Sequence, residues 1–115
     1  DDGLDVLSLA GGNEGALVTG YSFVMHRLDC GDAGLESAPI NAIRGDDAVF
    51  NAAALKRLLD GERSAYRDAV LFNAASALSV AGKGADWPER VAMAAKALDS
   101  GGARDLLARW IDMAV

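Results

Sequence analysis

The sequence predicts an α/β protein in which short antiparallel strands come first and about four helices follow. Residues 1–45 are glycine-rich and hold their β-formers in short runs. From residue 46 the apolar residues recur at helical spacing between recognisable starts and stops. The balance of 51% hydrophobic and 24% charged residues is that of a globular protein. These observations divide the chain into a strand and loop segment, 1–45, and a helical segment, 46–115, of one α/β domain.

Val6 to Leu9 is a short candidate strand. Ala16 to Thr19 and Tyr21 to Leu28 read as two strands around Gly20, carrying Val18, Tyr21, Phe23 and Val24. A two-stranded hairpin is marginal alone, so these strands are expected to extend a larger sheet. Residues 29–45 read as loop, punctuated by Gly31, Gly34 and Pro39.

The first helix is expected over Asp47 to Leu59, with Asp46 as N-cap and Gly61 as the left-handed residue after it. Val49, Ala52, Leu55 and Leu59 would line its apolar stripe. The second runs from Ala65 to Ala81, between a Ser64 cap and a Gly82 stop. From Ala69 onward only Asn73, Ser76 and Ser79 break its apolar surface, so it is expected to be the buried central helix. The third spans Trp87 to Leu98, with Asp86 and Glu89 at capping-box spacing and Pro88 in the tolerant first turn. The fourth spans Ala103 to Ala114 and offers Leu106, Leu107, Trp110, Ile111 and Val115 for packing.

Net charge is −6, and residues 1–45 hold seven acids against two bases. Phosphate backbones and anionic lipids attract basic surfaces, so nucleic acid and membrane partners are not expected. No apolar run reaches the roughly 18 residues of a membrane span. Cys30 is the single cysteine, so no internal disulfide can form, which fits a reducing, cytoplasmic setting. The chain opens on Asp1 rather than methionine, and the expectation is a piece of a larger precursor.

One cysteine and one histidine cannot build a Cys/His metal cluster. His26 is read as a sheet-surface residue, since no nucleophile-elbow spacing supports a triad around it. Gly11-Gly12 and Gly82-Lys83-Gly84 lack the Gly-Lys-Ser/Thr ending of a phosphate loop. Asn73 sits in an apolar helix, where an unpaired amide costs roughly 1–3 kcal/mol, so it is expected to hydrogen-bond a neighbouring loop. Asp1, Asp2 and Asp5 form an acidic cluster of hard oxygen ligands of the kind Mg²⁺ takes.

Several stretches resemble one family. Asp46-Asp47-Ala48-Val49-Phe50-Asn51-Ala52-Ala53-Ala54-Leu55 with Leu58-Leu59-Asp60-Gly61-Glu62 is similar to a late helix of anthranilate phosphoribosyltransferases. Arg67-Asp68-Ala69-Val70-Leu71-Phe72-Asn73-Ala74-Ala75, then Ala77-Leu78 and Val80-Ala81-Gly82, resembles the next helix. Ala97-Leu98-Asp99-Ser100-Gly101 and the opening Asp2-Gly3-Leu4-Asp5 also match. The resemblance is strong over residues 46–101 and weak over 10–45.

It implies the C-terminal part of a phosphoribosyltransferase α/β domain, in an enzyme that adds a small helical domain and forms a homodimer through it. Members transfer phosphoribose from phosphoribosyl pyrophosphate to anthranilate in tryptophan biosynthesis, with Mg²⁺. The family's phosphate loop and anthranilate contacts would lie in the missing N-terminal part. The chain is therefore expected to carry no catalytic or cofactor-binding residue and to be inactive alone. Asp5 is the expected Mg²⁺ ligand, while Val6 falls where the family has a second acid. Ala10-Gly11-Gly12-Asn13-Glu14 also departs from the family's Pro-Thr segment. Two alternatives stay open: a related enzyme of the pyrimidine nucleoside phosphorylase type, and a non-catalytic helical assembly module.

Overall fold

The computed structural model describes residues 3–114. Two antiparallel strands and four α-helices follow in the expected order. Strand β1 is Asn13–Thr19 and β2 is Ser22–Leu28. Their register runs from Asn13 opposite Leu28 to Thr19 opposite Ser22, across a turn in which Gly20 takes φ +59°. Pairing sets Glu14, Ala16 and Val18 with Arg27, Met25 and Phe23 on one face, and Leu17, Val24 and His26 on the other. Both faces are open: Leu17, Val18, Phe23, Val24 and Met25 are all exposed.

The expected Val6 to Leu9 strand is absent, since residues 6–9 join no ladder in the described chain. Two 3₁₀ turns, Cys30–Ala33 and Ile40–Ile43, occupy the stretch read as loop. The first is fixed by the Asp32 carboxylate, which accepts the Asp29 N–H at 2.9 Å. Asp1, Asp2 and Val115, read above as metal-cluster and packing residues, lie outside the described residues.

Helix α1 is Ala48–Leu59, and its cap is Asp47 rather than Asp46: the Asp47 carboxylate accepts the Phe50 N–H at 2.8 Å. Asp46 is engaged otherwise, because the Asn51 amide binds both its N–H and its C=O. The α1 stripe is also corrected. Leu58 and Leu59 are buried, but Val49 is 79% exposed and Ala52 is exposed too, because only the C-terminal end of α1 meets the core. Gly61 follows at φ +91°, as expected of the residue that closes a helix.

Helix α2, Ala65–Val80, is the central element, capped by the Ser64 hydroxyl on the Arg67 N–H. It buries Arg67, Ala69, Leu71, Phe72 and Ala75 but leaves Val80 open, so its burial is not complete all round. Helix α3 is Trp87–Asp99. Asp86 caps it through the Glu89 N–H, while the Glu89 carboxylate reaches the Ala85 N–H. Helix α4, Gly102–Ala114, buries no residue. Leu107 packs against the core, whereas Leu106, Trp110 and Ile111 stay exposed.

Two clusters of buried residues sit on opposite sides of α2. Leu9, Cys30, Ala33, Ala69 and Phe72 form one, flanked by Trp87 and Val91. Leu58, Leu59, Leu71, Ala94 and Leu98 form the other. Phe72 is completely buried and meets Trp87 edge-to-face, ring centroids 6.2 Å apart.

Candidate functional site

A groove of about 1080 Å³ opens between the segment before β1, the base of the hairpin and the middle of α2. Its walls include Asp5, Val6, Ser8, Asn13, Glu14, Arg27 and Asn73. The groove wall is built by two side-chain amides. The Asn73 Oδ1 accepts the Leu7 N–H at 2.8 Å, and its Nδ2 donates to the Leu7 C=O at 3.1 Å and to the Ala69 C=O at 2.9 Å. The Asn13 Oδ1 accepts the Ser8 N–H at 2.8 Å, and its Nδ2 donates to the Ser8 C=O at 3.1 Å and the Leu28 C=O at 3.0 Å. An amide carries both a donor and an acceptor, so each does for one residue what a neighbouring strand does in a ladder. The next residue is tied as well, since the Leu9 C=O accepts from the Ala38 N–H. Residues 7–9 are thereby fixed without joining a sheet.

The sequence expectation for Asn73 holds: its partner is a loop, and the loop is the one that carries Asp5. Asn13 and Arg27 were not foreseen. Asn13 gives no signal of its own, because its partner Leu28 is set by the hairpin register and its partner Ser8 by the loop before β1. Arg27 stands opposite Glu14 across the hairpin, a pairing that the register sets. Its guanidinium lies against Gly12, where a Cβ would fall 2.5 Å from Nη2. His26 is exposed on the opposite hairpin face from Arg27, as a sheet-surface residue should be.

The donors at the groove suit a cation only partly. No group of three acidic, histidine or cysteine residues that would hold a metal exists among the described residues. Asp5 offers a carboxylate and Val6 beside it offers none. Mg²⁺ typically takes one or two protein carboxylates and completes its shell with water and phosphate oxygens. The described residues therefore form no all-protein cage for a cation.

Away from the groove, the N-terminal end of α2 holds one deeply buried cation. Arg67 is 1% exposed and grips Asp99 with both terminal nitrogens at 2.8 Å. Hydrogen bonds from Arg67 hold the Asp99 carboxyl below the usual carboxylate range. Burial pushes the neighbouring Asp68 carboxyl above that range, against the pull of Arg67. This cluster ties α2 to the end of α3.

Residues 1–104 match the family described as "Glycosyl transferase family, a/b domain". The chain is 56% identical over all 115 residues to the anthranilate phosphoribosyltransferase of Erythrobacter litoralis, spanning 35% of that relative. It is 57% identical over 111 residues to that of Sphingopyxis alaskensis, spanning 33% of it. Among solved structures it resembles the crystal structure of anthranilate phosphoribosyltransferase from Thermus thermophilus, with a TM-score of 0.81 and 33% identity. That likeness covers 97% of this chain and 33% of the other. The chain therefore spans about a third of the length of the relatives it matches.

Proposed function

The chain belongs to the glycosyl transferase family through its a/b domain, and from that premise we propose that it supplies the C-terminal third of a cytoplasmic anthranilate phosphoribosyltransferase. The complete enzyme transfers phosphoribose from phosphoribosyl pyrophosphate to the amine of anthranilate, a step of tryptophan biosynthesis, and acts as a homodimer. The amine forms the new bond to the anomeric carbon as the bond to pyrophosphate breaks. This chain alone is inactive, because it spans only about a third of the length of its relatives and gripping both substrates needs the remainder.

The observation that carries this reading is surface. The chain exposes 7989 Å², whereas a folded monomer of its mass exposes about 5900 Å². The excess, roughly 2000 Å², is the size of an extensive permanent interface. Its radius of gyration is 15.2 Å, against about 13 Å for a compact domain of this length. The hairpin adds to the exposed surface, with apolar residues open on its two faces. Strands apolar on both faces belong inside a sheet covered on both sides. No helix among the described residues is long and apolar enough to cross a membrane.

Within the enzyme, the groove faces the phosphorylated substrate. Asp5 would hold a Mg²⁺ that travels with that substrate, and such an ion would offset charge on the departing pyrophosphate. Asn73 and Asn13 keep the Asp5 segment in place. Val6 contributes no ligand, so fewer protein oxygens surround the ion than a pair of acids would give. A nucleoside phosphorylase reading rests on that same valine, and phosphorolysis of a pyrimidine nucleoside is the assay that distinguishes it.

Isothermal titration of the 115-residue chain with phosphoribosyl pyrophosphate and Mg²⁺ tests the proposal. The expected result is no saturable binding at micromolar ligand and no transfer to anthranilate. Micromolar binding or turnover by this chain alone overturns it.

A further inference from the structure

A second cavity, of about 330 Å³, opens between the 3₁₀ turn Ile40–Ile43, helix α1 and the start of α2. It shares no lining residue with the groove described above. In a chain of net charge −6, its walls carry two arginines, Arg44 and Arg57, and one acid, Glu62. Glu62 accepts only the Arg57 Nε–H, at 3.1 Å, which leaves both terminal nitrogens of Arg57 free to donate elsewhere. The Arg44 guanidinium makes no hydrogen bond or ion pair among the described residues. Ser64, which caps α2, lines the same cavity, so the partial positive end of that helix adds to the field there. Ile43, Phe50 and Tyr66 supply apolar wall, and Phe50 is 47% exposed with no part in either buried cluster. The wall is already in place. The Asn51 amide binds both the N–H and the C=O of Asp46 at 3.0 Å, and Gly45 lies so close that a Cβ there would stand 2.6 Å from the Asn51 Oδ1. Residues 44–46 are thereby held against α1, with Arg44 on the cavity wall.

We propose that this cavity binds a small organic anion, a carboxylate carried on a single aromatic ring. A guanidinium presents its N–H donors in a fork that matches the two oxygens of a carboxylate. Arg44 and the terminal nitrogens of Arg57 are the donors left unused. Phe50 and Tyr66 offer ring faces and edges to an aromatic body. The volume lies at the small end of ligand pockets, which run roughly from 300 to 1,000 Å³, so one ring fits better than several. Two arginines against one glutamate leave one net positive charge, which a single carboxylate balances. A polyphosphate would bring more negative charge than that and meet repulsion from Glu62. An inorganic anion would leave the aromatic walls facing water.

Titration of the 115-residue chain with benzoate, followed in ¹⁵N-resolved amide spectra, tests the proposal. A probe this small should bind with a Kd of about 1 mM. Its shifts should saturate and centre on Arg44, Phe50, Asn51 and Tyr66. Benzamide keeps the ring without the charge, and acetate keeps the charge without the ring. Each should bind at least about tenfold more weakly than benzoate. Arg44→Gln and Phe50→Ala should weaken benzoate by a similar factor, while the amide positions of α3 and α4 stay in place. Both replaced side chains are exposed and outside the buried clusters, so the fold does not depend on them. Benzoate shifts that do not saturate at roughly ten times the expected Kd overturn the proposal. So does saturation centred elsewhere on the chain, or binding that Arg44→Gln leaves unchanged. Equal binding of benzamide or acetate overturns the assigned ligand class.

Discussion

Replacing Phe72 by alanine should be among the most damaging single changes to this chain. The side chain is fully buried and packs in one cluster with Leu9, Cys30, Ala33 and Ala69. Phe-to-Ala substitutions in cores cost about 3–5 kcal/mol, part of it transfer free energy and part the cavity left behind. The edge-to-face contact with Trp87 supplies about 0.5–1.5 kcal/mol of that beyond buried area. Small domains are stable by only about 5–15 kcal/mol, and this one exposes more surface than its mass warrants. Urea denaturation followed by circular dichroism at 222 nm should show the midpoint falling by half or more at constant slope. Val80→Ala, on the same helix but exposed, should stay within about 0.5 kcal/mol of wild type. A Phe72→Ala loss under about 1 kcal/mol would show that the two halves of the chain do not share the packing described.

The Arg67–Asp99 pair should show in the acid limb of stability. The Asp99 carboxyl is held low by Arg67, so its contribution is present above the ordinary carboxylate range and lost as pH falls through the lowered value. Asp99→Asn should flatten the decline of Tm between about pH 5 and pH 2. Asp68 has the opposite sign: burial raises its carboxyl, so its ionised form burdens the folded state at neutral pH and the burden lifts as pH falls. Asp68→Asn should therefore raise Tm at pH 7 and leave it unchanged near pH 3. Gly82→Ala should lower stability by about 1–2 kcal/mol in thermal unfolding, since its φ of +71° strains any L side chain although the space around it is open. Asp86→Ala should cost about 1 kcal/mol through loss of the α3 cap, read by the same unfolding curves.

The helices were legible because each carries its own punctuation. Ser64, Asp86, Gly61 and Gly82 stand at starts and stops, and the structure uses all four. The hairpin was legible from alternation around Gly20. What escaped depends on contacts remote in sequence. Asp46 and Asp47 are equal candidates for a cap until the Asn51 amide occupies the Asp46 backbone, leaving Asp47 for the helix. Val6 to Leu9 has strand composition, but its hydrogen bonds go to Asn73, Asn13 and Ala38 rather than to a ladder. Val49 fits the α1 stripe, yet it stays exposed, because the described packing reaches only the other end of the helix. The 3₁₀ turn at Cys30–Ala33 was announced by acids three apart, Asp29 and Asp32, a spacing the loop reading passed over. In the groove, Asp5 was visible as a candidate ligand and Asn73 as an amide that needed a partner. Their connection through Leu7 was not, because it joins positions 66 apart.

The most direct measurement is the activity of a chimera. The matching third of the Erythrobacter litoralis relative, 56% identical to this chain, is replaced by these 115 residues. Transfer of phosphoribose to anthranilate is then assayed at saturating Mg²⁺. The account predicts a folded dimer that forms phosphoribosyl anthranilate. A folded dimeric chimera that leaves anthranilate unchanged, beside an active parent enzyme, would contradict it.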